Sequence, residues 1–235
     1  MLARKLFTSH RIICRLATHR LYAAAMSSTW PAGGSRIILG SSSYSRQGIM
    51  KELAQEYGFD YDTVTADIDE QALGDRTSDP AELVTLLAQA KADAIYERLE
   101  SKLGLLLTCD QVVIYQGRVR EKPASTQQAK EFIHGYSEYP AGTVGCTLCT
   151  DLESRQSFKA VDTTWTHFRK IPEEVVDQMV EEGTVMKCAG ALMVENPLLT
   201  PFITQFQGTK DAIMGLPKST VFDVVAAAVK AGKNW

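Results

Sequence analysis

Leu105-Leu106-Leu107-Thr108-Cys109-Asp110-Gln111-Val112-Val113-Ile114-Tyr115 decides the fold. Three leucines followed by Val-Val-Ile-Tyr form the strongest strand signal in the chain, the kind of run that suits a buried, pleated surface. Four residues, Thr108 to Gln111, interrupt it. A carboxylate inside such a run is costly unless it is paired, hydrogen-bonded or on a metal. Asp110 therefore has two readings. Either a strand ends and a new one starts at Val112, with Asp110 in the turn, or the chain keeps a carboxylate there to take a proton from water or to hold a metal-bound water.

Outward from this run, short apolar stretches alternate with helical patterns. Toward the N-terminus, Arg36–Gly40 reads as a buried strand ending in serines, and Tyr44 to Gly58 as a helix with Ile49, Leu53 and Tyr57 on one face. Residues 60–67 alternate like a second strand. Pro80 is well placed to open a long helix, whose apolar stripe is read as Leu83, Leu86, Leu87, Ala90 and Ala94, with Lys91 at its edge. Toward the C-terminus, Ser125 to His134 reads as a helix with Ser125 as N-cap. Residues 143–150 and 157–168 read as paired strands with a turn around Asp151–Arg155. Pro172 opens another helix, and a last one follows Gly215-Leu216-Pro217 through Val221, Val224, Val225 and Ala228. This order predicts an α/β protein with a mixed sheet.

The 235 residues carry 25 Lys+Arg and 28 Asp+Glu, with 45% apolar and 23% charged residues. That is ordinary globular composition, and it excludes a disordered tail, a collagen-like fibre and a strongly basic nucleic-acid binder. No apolar run is long enough to span a membrane. Five cysteines do not suggest a secreted disulfide scaffold. The net charge of −3 hides an asymmetry. Residues 1–25 hold Arg4, Lys5, Arg11, Arg15 and Arg20 and no acid, so the rest carries 20 basic against 28 acidic residues. Residues 1–34 are read as a basic leader and flexible lead-in, and 35–235 as one domain. The leader is either an amphipathic presequence or a segment ahead of a start at Met26. The expected compartment is the cytoplasm, or the mitochondrion if residues 1–25 act as a presequence.

Several groupings could carry chemistry. The turn Ser41-Ser42-Ser43-Tyr44-Ser45-Arg46 lies between a strand and a helix, where free N–H groups and the helix dipole favour a phosphate; it also reads as a plain N-cap cluster. Asp67, Asp69 and Glu70 crowd the end of the second strand, where a divalent cation would relieve their repulsion. Lys91, Lys122 and Arg46 together could neutralise a polyphosphate. Cys146 and Cys149 are three apart on a strand and so face opposite ways, which makes ordinary buried cysteines the expectation over a redox or zinc pair. There is no Walker, dinucleotide, HExxH or GxSxG pattern.

In order, RIILGSSSYSR, ADIDE, LAQAKA, TCDQVV, EKP, KCAGALMVEN and MGLPKSTVFDVV resemble the Maf family of nucleoside triphosphate pyrophosphatases over nearly all of residues 36–229. The resemblance implies an elongated mixed sheet with flanking helices and a cleft between two lobes, a fold shared with the wider house-cleaning triphosphatases. It implies hydrolysis between the α and β phosphates with a divalent cation, Mg²⁺ or Mn²⁺. Carried over, Asp110 matches the proton acceptor; Ser41, Ser43 and Arg46 the phosphate turn; Lys91 and Lys122 the lysines facing the triphosphate; and Glu70 with Asp110 the metal-side acids. A homodimer is the expected assembly, with no nucleic acid and no membrane as partner.

Substrate choice rests on Ser45, Gln111 and Glu195. The dTTP/UTP branch has Arg, Thr and Gln at these places, so Gln111 and Glu195 look like the branch acting on 7-methyl-GTP. A carboxylate complements the guanine N–H edge and the positive charge that methylation puts on the ring. The chain departs from that branch at Ser45, where Trp is usual, and at Tyr44, where Pro is usual. Residues 197–205 look like an insertion, and Lys218 after Gly-Leu-Pro is a further departure. The expectation is a 7-methyl-GTP pyrophosphatase. The alternatives are a dTTP/UTP pyrophosphatase, a non-catalytic nucleotide-binding regulator and, most weakly, a redox module using Cys146 and Cys149.

Overall fold

The computed structural model describes residues 36–232; the basic leader lies outside the described residues. Seven strands form one mixed sheet flanked by helices, in the order β2-β1-β3-β5-β6-β7, with β4 also on β3. The strands are β1 Ile37–Gly40, β2 Tyr61–Thr63, β3 Leu105–Tyr115, β4 Arg118–Arg120, β5 Ala141–Asp151, β6 Ser157–Phe168 and β7 Ile203–Gln207. The helices are α1 Tyr44–Tyr57, α2 Pro80–Arg98, α3 Thr126–Gly135, α4 Glu173–Glu181, α5 Lys210–Ile213 and α6 Lys218–Ala231. β1 runs parallel to β2 and β3, and every other pairing is antiparallel.

β3 is the spine, and it is unbroken. Pairing with β5 runs from Leu105↔Asp151 to Ile114↔Gly142 without a bulge, so the reading in which Asp110 sits in a turn is wrong. Alternation holds through the polar residues. Leu105, Leu107 and Cys109 face a core shared with Ile49, Met50 and Leu53 of α1 and Val221, Val224 and Val225 of α6. Leu106 and Val112 face the opposite core, with Leu83, Val84, Leu87, Ala88 and Ile95 of α2. Val113 and Tyr115 enter a third core at the far end of the strand, with Ile133 of α3 and Val176 and Met179 of α4. Two lobes therefore share one strand.

What the polar stretch lacks is a neighbour on one side. β1 pairs with β3 only as far as Gly40↔Thr108, and β4 begins at Val113↔Arg120. Residues 109–112 thus present an open strand edge in mid-sheet, between the lobes.

The helices begin as expected. Ser43 caps α1 by accepting from Arg46 N (3.4 Å), Gly58 closes it at φ 69°, Asp79 caps α2 ahead of Pro80, and Ser125 caps α3. The stripe of α2 is rotated from the expected one: Leu86 is exposed, and Lys91 lies in the buried row with Leu87, Ala88, Ala92 and Ile95. The leucine-alanine run looked equally apolar on two faces, and packing chose the one that meets β3. The second strand is short, Tyr61–Thr63 instead of 60–67, because β1 offers only three partners. Strands 141–151 and 157–168 form the expected hairpin. β4 and β7 were not foreseen, and the insertion-like 197–205 supplies most of β7, which pairs with the end of β6.

Candidate active site

The open edge of β3 gathers the polar residues. Asp110 points to the α2 side and is 5% exposed. Its Oδ1 meets Lys91 Nζ at 2.5 Å, and the same ammonium meets Glu70 Oε1 at 3.0 Å. Thr108 Oγ1 donates to Ala88 O (2.9 Å), and the next residues on the same strand face and helix face, Asp110 and Lys91, meet. Burial raises the Asp110 carboxyl above its ordinary 3.8, while Lys91 and Arg46 pull it down and Glu70 pushes it up. Cations beside a buried carboxylate favour its ionised form.

Glu70 opens a one-turn 3₁₀ helix, Glu70–Ala72, capped by Asp69, which accepts from Gln71 N (3.1 Å). Asp67 instead takes Arg98 (2.8 Å) and stays outside the cluster. Of the three crowded acids only Glu70 joins Asp110.

The turn after β1 is both cap and donor set. Ser43 N donates to Ser41 Oγ (3.2 Å) and Arg46 N to Ser43 Oγ (3.4 Å). A hydroxyl that accepts still has its own O–H to give, so capping α1 does not exclude a phosphate. Arg46 lies against the open edge: Nη1 donates to Cys109 O (3.2 Å) and Nε to Gly215 O (3.0 Å). Three of its five N–H groups remain for a ligand.

Gln111 points to the other face, where Nε2 donates to Ala212 O (3.1 Å) and Ile213 O (2.8 Å). Its amide N–H groups tether the end of α5, just before the loop to α6, leaving Oε1 without a bond to them. Gly215 closes that loop at φ 93°, and a Cβ there would stand 2.8 Å from both Arg46 Nε and Gln111 Oε1. Its part in the site was missed, although a glycine just before Leu-Pro and a helix is a turn signal.

From the second lobe comes Glu195, whose Oε1 accepts from Ser45 Oγ at 2.7 Å, a direct bond between lobes. Tyr44, next along α1, stands 90% exposed. Lys122 is exposed beyond β4, and its charge falls on the Cys188 thiol together with that of Glu195. Ser41, Ser43, Arg46, Glu70, Lys91, Asp110 and Gln111 therefore gather around the open edge; Glu195 reaches them from the other lobe through Ser45, whereas Lys122 stands exposed beyond β4 with no direct bond to the group. Cys146 and Cys149 lie buried in opposite cores, and burial pushes both thiols up.

Among the described residues, no group of three or more His, Cys, Asp or Glu side chains forms a metal cage. Glu70 and Asp110 converge on one cation nonetheless. Two carboxylates completed by phosphate oxygens and water are a usual donor set for Mg²⁺, so the residues present fit such an ion.

Residues 36–228 match the family model described as Maf-like protein. The chain belongs to the Maf family. A 7-methyl-GTP pyrophosphatase of Dictyostelium discoideum is 33% identical over 196 residues, covering 81% of this chain and 95% of its own. A dTTP/UTP pyrophosphatase of Pelotomaculum thermopropionicum is 30% identical over 189 residues, covering 80% and 94%. A 7-methyl-GTP pyrophosphatase of Idiomarina loihiensis is 29% identical over 194 residues, covering 80% and 92%. Maf relatives of both branches thus align along nearly their whole length.

Proposed function

We infer that this Maf protein is a nucleoside triphosphate pyrophosphatase whose substrate is 7-methyl-GTP, cut between the α and β phosphates. The observation carrying the chemistry is the buried Asp110 carboxylate held by Lys91 beside Glu70 at an open strand edge. In the proposed step a water oxygen bonds to the α phosphorus and the bond to the bridging oxygen breaks. Pyrophosphate leaves, and the water proton passes to Asp110 Oδ. Arg46, Lys91 and Lys122 balance phosphate charge, and the Ser41 and Ser43 hydroxyls donate to phosphate oxygens. Glu70 and Asp110 would hold the Mg²⁺ or Mn²⁺, which supplies Lewis-acid polarisation of the phosphates when bound.

For the base, the supporting feature is Glu195, fixed by Ser45 at the edge of the other lobe. A carboxylate accepts from the adjacent N–H groups of the guanine edge and favours the cationic ring of 7-methylguanine; thymine and uracil offer a single N–H between two carbonyls, which a carboxylate meets less well. The dTTP/UTP relatives keep the second reading open to test. With purified protein, Mg²⁺ or Mn²⁺ and a panel of triphosphates, kcat/KM is expected to be highest for 7-methyl-GTP. A preference for dTTP or UTP would overturn the assignment. The site of action proposed with this reading is the cytoplasm, or the mitochondrion through residues 1–25. Imaging a reporter fused behind those residues decides between them.

A further inference from the structure

Arg76 belongs to no grouping described above, yet its guanidinium lies against the backbone of the turn that carries Glu70. Residues 70–72 contain no buried side chain, and the apolar anchor of the turn is Leu73, packed against the α2 core. Arg76 adds a polar grip on the backbone at both ends of the turn. Its Nη2 donates to Glu70 O (2.7 Å), and its Nη1 to Leu73 O and to Gly74 O (3.3 Å). Its Nε meets Glu121 Oε1 at 2.8 Å. Glu121 immediately precedes Lys122, and its carbonyl accepts from Gly190 N (2.9 Å) in the second lobe. One planar fork therefore grips three carbonyls of the turn carrying Glu70 and the residue beside Lys122. A lysine, with a single compact ammonium, could not span these acceptors.

We propose that Arg76 is a positioning residue: by gripping the 70–74 turn and Glu121 it aims the Glu70 carboxylate at the divalent cation. The proposal rests on the metal-assisted reading above. It is a role exerted through Glu70, and partners that aim a metal ligand commonly change metal affinity by about 10–100-fold when removed.

The test is Mn²⁺ binding by the full chain with α,β-methylene-GTP present, read from the EPR signal of free Mn²⁺, in wild type, Arg76→Met, Glu70→Gln and the double variant. Arg76→Met is expected to weaken Mn²⁺ binding about tenfold, and the double variant to bind no worse than Glu70→Gln. A general loss of structure would instead add to the Glu70→Gln effect. Should Arg76→Met melt well below wild type, Arg76→Lys carries the test, and a weakened affinity is expected there too. Wild-type affinity in both Arg76 variants, additive losses in the double variant, or no Mn²⁺ binding by wild type would each overturn the proposal. The two readings fail separately. A chain that binds Mn²⁺ in the expected order yet releases no pyrophosphate contradicts the enzymatic reading, whereas full turnover with unchanged Mn²⁺ binding in the Arg76 variants contradicts only this one.

Discussion

Asp110 sits where burial disfavours its charged form and two cations oppose that effect; in the proposed step it is the base. Burial is the largest influence on it and raises its carboxyl above 3.8; Lys91 and Arg46 oppose that rise. The sign follows for stability and for rate. A carboxylate whose value is raised on folding destabilises the fold fully above the raised value, and that cost is relieved as pH falls toward 3.8. The proposed step needs the ionised form, so kcat/KM is expected to drop as pH falls through the raised value. Lys91→Met removes a lowering influence, and its acid limb is expected at higher pH than that of wild type. The shift is read from kcat/KM against pH. A limb unmoved in Lys91→Met would show that Asp110 is not the group titrating. At this scale the sequence exposed Asp110 clearly, because a carboxylate in an apolar run has few innocent explanations. It did not expose Arg76, since an arginine in a polar loop looks like any solvated charge until its acceptors are seen.

Individual elements explain what could be read and what could not. The caps and prolines that start α1, α2, α3 and α6 act locally, within a turn of their own position, and so were legible. The sequence leaves β3 open between a strand that keeps Asp110 and one that breaks there, because its polar residues mimic a turn. Its continuity comes from β5, whose partners for Thr108–Gln111 lie more than 30 residues away. The facing stripe of α2 depends in the same way on β3 and not on its own periodicity. β7 borrows its register from β6, which no local pattern announces. The loop bearing Glu195 is held by comparable long-range contacts. Tyr136 Oη donates to Gly190 O (2.6 Å), and Gly190 sits at φ 60° with Tyr136 Oη 2.5 Å from where a Cβ would be. Gly190→Ala is expected to lose about 2–4 kcal/mol through left-handed strain and overpacking. Urea unfolding measures this, and a midpoint equal to wild type would contradict the packing described for the second lobe.

For the whole molecule, the site lies between lobes that share β3, and the direct bond Ser45–Glu195 spans them. The acidic body offers no general attraction for a triphosphate, so the proposed reading assigns capture to Arg46, Lys91, Lys122 and a divalent cation. The cores start at Ile37, and a chain begun at Met26 is expected to turn over within about twofold of full length, because every site residue lies in the folded body. A large loss of kcat in the shorter chain would contradict the reading of the leader as separate from the enzyme. The most direct test is the release of pyrophosphate from 7-methyl-GTP by wild type and by Asp110→Asn, with folding checked by circular dichroism. Wild type should release pyrophosphate and 7-methyl-GMP in the presence of Mg²⁺ or Mn²⁺. Asp110→Asn should remain folded and lose about 10²–10⁴-fold in kcat. Equal rates in the two proteins, or release of orthophosphate in place of pyrophosphate, would contradict it.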